Sequence, residues 1–181
     1  MVSPKKVNTC RQSNPIDLAL SRLVAIVAIL GIPAGLYGYF SAQHDKRSEV
    51  TFQLYKTFRD EPLRRDLNLL MSRWNLKRDQ IVELLKQKKY DEITAILLSL
   101  MDEKTEEAFD HMDSFFLEVS SCIENRLCDN NAALTLFKDT ADDLINAYGP
   151  YIIYLREQYS NEQIGTGIYR IRALTKELEW F

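Results

Sequence analysis

Residues 103–127 read EKTEEAFDHMDSFFLEVSSCIENRL. Ala108, Met112, Phe115, Phe116, Val119 and Ile123 recur in it at three- and four-residue steps. That period lines them up on one face of an α-helix. The same spacing continues upstream. From Ser48 it runs through Val50, Leu54 and Phe58, then Leu63, Leu67, Leu70, Met71 and Trp74. Pro62, after Asp60-Glu61, marks a helix start, because proline is tolerated in a first turn. Lys77 to Lys88 reads as a short basic helix with Ile81, Leu84 and Leu85 on one face. Asp91 is the expected cap of the next helix, which carries Ile93, Ile96, Leu97 and Leu100.

Downstream, Asp129-Asn130-Asn131 reads as a polar break that caps a helix from Ala132 to Tyr148. Gly149-Pro150 signals a turn or kink. Helices over 151–159 and 161–180 complete the chain, with Gly165-Thr166-Gly167 the weakest stretch. No alternating strand pattern, hairpin signal or internal repeat interrupts this. The fold class expected is therefore all-α: one N-terminal transmembrane helix followed by a six- or seven-helix globular domain.

The composition agrees with that reading. The chain of 181 residues has only six glycines and five prolines, and Pro4, Pro15 and Pro33 fall early, so little punctuates the remainder. At 46% hydrophobic and 27% charged it is too apolar for a disordered chain. Charge is divided unevenly. Residues 41–90 carry twelve Lys/Arg against seven Asp/Glu, and residues 91–181 carry seven against eighteen. A basic stretch beside a hydrophobic segment suits an anionic bilayer surface. The acidic far half excludes general nucleic-acid binding, which needs a basic face.

Leu23 to Phe40 reads LVAIVAILGIPAGLYGYF, without a charge. As a helix it is about 27 Å long, close to the hydrocarbon thickness of a bilayer. Tyr37, Tyr39 and Phe40 cluster at one end, as interfacial aromatics do. A cleaved signal peptide would have a shorter core and a better cleavage site than Ser41-Ala42-Gln43. A buried core helix rarely has so long an apolar run, and a lipoprotein anchor would need a cysteine after it. The organisation expected is a polar tail over 1–15, a transmembrane anchor over 16–43 and a helical domain over 44–181. Gly31 and Gly35, with Gly38 beyond, form a small-residue spacing that suits anchor self-association. Lys46, Arg47, Arg64 and Arg65 are candidates for lipid-surface contact. The flanks nearest the run carry four Lys/Arg each, and only Arg64 and Arg65 tip the helical domain toward the cytoplasm.

Cys10, Cys122 and Cys128 are too few and odd in number for a disulfide framework, and are expected as reduced, small apolar fillers. Asp102, Glu103, Glu106, Glu107, Asp110 and Asp113 form an acidic run with His111 among them. Glu107 and His111 share a helix face, but a di-iron bundle needs a Glu-x-x-His pair twice. A solvated acidic face is the expectation, with no metal and no cofactor. No nucleophile comes with a recognisable His/Asp set, and Gly165-Thr166-Gly167 lacks the context of a phosphate loop. No catalytic residue is assigned. Tyr148, Tyr151, Tyr154 and Tyr159 mark an aromatic C-terminal third. Core packing accounts for most of these, while Tyr151, Tyr154 and Arg156 are candidates for a partner surface.

Three pieces resemble the bacterial membrane-anchored helical family known as domain of unknown function 4760. They are the anchor followed by the amphipathic helix Glu49–Arg59, the helix containing Asp113-Ser114-Phe115-Phe116-Leu117-Glu118, and Ala147-Tyr148-Gly149-Pro150-Tyr151-Ile152-Ile153-Tyr154-Leu155-Arg156. Two features depart from the family's pattern. Leu117 separates Phe from Glu, and the Tyr-to-Pro-Tyr-Ile spacing is shorter. The resemblance implies a single-pass membrane protein with a helical cytosolic domain, and it implies no activity. The function expected is a non-enzymatic, membrane-tethered interaction protein, with the bilayer and a protein as partners and self-association as an option. The alternatives are a small membrane effector of defence or toxin type that perturbs the bilayer, and an enzyme whose site the sequence conceals.

Overall fold

The computed structural model describes the backbone of residues 15–178 and the side chains of residues 37–175. By its internal contacts the chain divides into two units, residues 1–43 and 44–181. Among the described residues there are seven α-helices and no strand. The first, α1 (Pro15–Arg59), contributes residues to both units. Most of the apolar run 23–40, and with it Gly31 and Gly35, lies outside the residues whose side chains are described. Among the described residues, no helix is long and apolar enough to cross a membrane.

In the second unit, the end of α1 sends Val50, Leu54, Tyr55 and Phe58 against the core. The Phe58 ring stacks on Phe115 at 5.4 Å and meets Phe137 edge-on at 5.6 Å. α2 (Glu61–Asn75) carries Pro62 in its first turn as expected, and its apolar stripe inserts Leu70 completely. α3 (Arg78–Lys86) and α4 (Tyr90–Leu100) are short and amphipathic, burying Ile81, Ile93 and Leu97. Asp91 does not cap α4. Helical geometry starts one residue earlier, at Tyr90, after Lys88 turns through a left-handed conformation and closes α3.

α5 (Glu103–Glu124) is the central helix and packs on α2 and α7. Asp102 caps it by accepting the Thr105 amide at 2.9 Å, and it also takes the Thr105 hydroxyl at 2.6 Å. These two bonds, with the Arg73 guanidinium beside them, hold the Asp102 carboxyl below the usual carboxylate range. Asp129 caps α6 (Asn130–Tyr159) through the Ala132 amide, as the sequence suggests. The core of the unit is aromatic at its centre. Phe109, Phe116, Phe137 and Tyr148 are all nearly inaccessible, and the Tyr148 hydroxyl donates to the Leu70 carbonyl at 2.6 Å.

Three expectations need correction. Gly149-Pro150 makes no turn that ends a helix: α6 continues through both residues, with Pro150 inside it. The last helix does not start at residue 161 but breaks at the expected weak stretch, Gly165-Thr166-Gly167. That stretch is the entrance to α7 (Thr166–Leu178), and helical structure begins five residues later than expected. Cys122 and Cys128 are buried, but they are joined to each other in a disulfide across a Cα separation of 5.5 Å. α5 ends between them, so the two sulfurs meet across the turn.

The entrance to α7 is built by Asp113. Its carboxylate accepts the Gly165 amide at 2.9 Å and the Ile168 amide at 3.2 Å, so a residue of α5 caps the first turn of α7. Gly165 adopts φ +70, a conformation that favours glycine. Gly167 faces the α5 backbone so closely that a Cβ there would overlap the main chain of Asp113 and Leu117. From that crossing, α7 runs antiparallel along α6, with Tyr169 beside Gly149 and Arg172 paired with Asp142 at 3.4 Å.

Candidate functional site

α4 and α6 bound a groove of about 790 Å³. α3 contributes Leu85, α4 contributes Tyr90 and Leu98, and α6 contributes Ile145, Ile153 and Tyr154. These positions follow from helical period. Leu85 and Leu98 lie just outside the buried stripes of their helices, so they are apolar and still accessible. Ile153 is 52% exposed and Tyr90 55%. Such side chains are common singly on a surface, but four of them meeting in one concavity is less ordinary. Asp91, Glu157 and Arg172 stand among them, giving a mostly apolar groove with a few charged groups. Pro150 also lines it, and having no N–H it leaves the Asn146 carbonyl without its usual helical donor.

A second polar cluster ties α2 to α5. Asp66 is buried, and its carboxylate lies 2.8 Å from Nδ1 of His111. The Glu107 carboxylate is 3.9 Å from the other ring nitrogen, and Arg65 approaches Asp66 at 3.8 Å. His111 is therefore part of an inter-helix contact rather than a free member of a solvated face. Its partner Asp66 lies 45 residues away, beyond the reach of periodicity. Among the described residues, no group of three or more His, Cys, Asp or Glu side chains is arranged to hold a metal ion.

The residues proposed for a partner surface separate. Tyr154 is half-buried and lines the groove. Tyr151 is inside the core, edge-on to Phe109 at 5.9 Å, and burial pushes its phenol well above the ordinary tyrosine range. Burial does the same to Tyr148. Arg156 is internally engaged: its Nε donates to the Ile164 carbonyl at 2.7 Å, and its guanidinium lies over the Tyr169 ring at 4.9 Å. Only Tyr154 of the three is at the groove.

Of the lipid-contact candidates, Lys46, Arg64 and Arg65 are exposed and Arg47 is half-buried. Of the anchor glycines, Gly38 alone has described surroundings, and a side chain there would meet nothing within 4 Å. The groove itself was not apparent from sequence, because it depends on α6 continuing through Gly149-Pro150. The signal that was present is the unusual content of apolar residues beside the buried stripes: Leu85, Leu98 and Ile153.

No family model, no curated protein and no solved structure matches this chain.

Proposed function

We propose that the chain is a non-enzymatic, membrane-tethered interaction protein that receives an apolar segment of a protein partner in the α4–α6 groove. The observation that carries this reading is the convergence of exposed Leu85, Tyr90, Leu98 and Ile153 in one concavity, with Tyr154 beside them. Burying such side chains is the main source of favourable free energy in association, and tyrosines in partly enclosed positions serve as anchors. The Asn146 carbonyl offers a backbone acceptor to fix the register of what binds. Tethering rests on the uncharged run Leu23–Phe40 and on the resemblance to the membrane-anchored helical family.

Charge and cysteines point to opposite sides of the membrane. Charge favoured a cytoplasmic domain by a narrow margin. A Cys122–Cys128 disulfide favours an oxidising compartment, where such bonds persist. On that ground we propose an extracytoplasmic helical domain, against the cytoplasmic side that charge favours.

The test is photocrosslinking of the full chain in native membranes, with a photoreactive residue at position 98 or 153 and a control at Glu118. A discrete protein adduct from the groove positions, absent from the control, is expected. An adduct of twice the chain mass would identify the partner as a second copy. Equal labelling from all three positions, or lipid adducts alone, would rule the groove out.

A further inference from the structure

A second cleft, of about 430 Å³, opens where α1 enters the helical unit beside the α5–α6 turn. His44 and Arg47 line one wall, and Arg126, Asp129, Asn130 and Asn131 the other. We propose that this cleft binds a phosphate group, held between the guanidinium groups of Arg47 and Arg126.

Charge is the first argument. The one carboxylate in the cleft, Asp129, is already engaged. Its Oδ1 accepts the Ala132 amide at 3.0 Å and its Oδ2 faces His44 Nε2 at 3.6 Å. Among the described residues, neither Arg47 nor Arg126 has a carboxylate partner, although Arg47 is half-buried. Two arginines without a carboxylate partner line one cleft that holds a single carboxylate, which favours an anion, and the forked donors of arginine suit phosphate oxygens.

Preorganisation is the second argument. The buried Thr51 hydroxyl donates to the Arg47 carbonyl at 2.9 Å and accepts the Asp129 amide at 2.9 Å, which locks the two walls together. Arg126 sits in the turn bridged by Cys122 and Cys128. It closes α5 with φ 56, and the Leu127 amide reaches back to the Cys122 carbonyl at 2.9 Å. This is a Schellman turn, and its left-handed position is cheapest for glycine. An arginine stands there instead.

The phosphate has two sources. Arg47 follows the uncharged run ending at Phe40 by seven residues in sequence, so a lipid headgroup is one source and a water-borne phosphate the other. The full chain in neutral detergent should be titrated with inorganic phosphate and with dihexanoyl phosphatidic acid, with dihexanoyl phosphatidylcholine as a further probe. Saturable binding of at least one of the first two is expected. Tighter binding of the phosphatidic acid than of inorganic phosphate would assign the headgroup, and equal or weaker binding would assign the free anion. Arg47→Gln should weaken binding about tenfold, the usual loss on removing one charged hydrogen-bonding partner. Arg126→Gly suits the left-handed turn, so it should unfold no earlier than wild type and still bind about tenfold more weakly. Arg126→Lys should recover part of the loss. No saturable binding of either phosphate probe, or equal binding by wild type and Arg126→Gly, would overturn the proposal.

Discussion

Gly149 and Gly167 lie on facing helices, and by sequence both read as interruptions. Their surroundings are opposite. A Cβ at Gly149 would meet only the Tyr169 hydroxyl, at 3.5 Å, an ordinary contact. A Cβ at Gly167 would strike the backbone of α5. The first glycine is a helix-interior residue with room beside it. The second sets the distance between two helices. The same residue type therefore stands for tolerance in one place and for an absolute steric limit in the other. The distinction is made by what crosses the glycine, and not by its neighbours in sequence.

The largest expected effect tests the tighter of the two. Gly167→Ala forces α7 off α5, and a clash with backbone cannot be relieved by a side-chain rotation. A loss of about 3 kcal/mol is expected, at the upper end of overpacking costs. Chemical denaturation of the full chain in neutral detergent measures it. A loss under about 1 kcal/mol would show that α7 shifts easily and that the crossing is not rigid.

The α2–α5 tie should respond less. His111→Ala leaves the buried Asp66 carboxylate without its nearest partner, at a cost of about 1–2 kcal/mol. Glu107→Ala touches the same ring from the solvent side and should stay within about 0.5 kcal/mol. Equal effects of the two substitutions would contradict the assignment of Asp66 as the partner that matters. Gly149→Ala carries the opposite sign to Gly167→Ala. With space available and helical backbone in place, alanine should stabilise by roughly 0.5–1 kcal/mol. A destabilising result would mean that the Tyr169 hydroxyl has no room to adjust.

The helices were legible because each has an apolar stripe of the right period. The α5 stripe Ala108, Met112, Phe115, Phe116, Val119 and Ile123 is buried throughout. Asp129 was legible as the cap of its own helix, but Asp102 was read only as part of an acidic run and Asp91 as a cap it does not form. Asp113 reads as one more acid in a solvated run, yet it caps a helix that begins 53 residues later. His111 with Asp66, and Cys122 with Cys128, are likewise pairings that only the fold makes visible. Gly149-Pro150 misled for a different reason. Proline in a helix interior is costly in isolation, but α6 is held on both sides of it by Tyr148, Tyr151 and Ile152 in the core. The candidate groove was hidden with it; of Tyr151, Tyr154 and Arg156, only Tyr154 lines that groove.

The smallest expected effect concerns Asp113, where two forces oppose each other at the rigid crossing. Burial raises its carboxyl above the usual aspartate range, the amides of Ile168, Gly165 and Gly167 pull it down, and nearby Asp110 pushes it up again; burial prevails. A carboxyl with a folded value above its unfolded one is penalised when ionised in the native state. Its stabilising contribution is complete below the ordinary aspartate range and is lost as pH rises through the raised folded value. Wild type should therefore gain stability relative to Asp113→Asn as pH falls from neutral toward about 4. Taking the difference between the two chains cancels the carboxylates they share, including Asp102 and Glu83, which are held below their usual range and lose stability on acidification in both. Denaturation curves at a series of pH values measure that difference. If it narrows on acidification instead, the amides at the α7 entrance outweigh burial, and the ionised carboxylate, rather than the tight Gly167 contact, is what fixes α7 on α5.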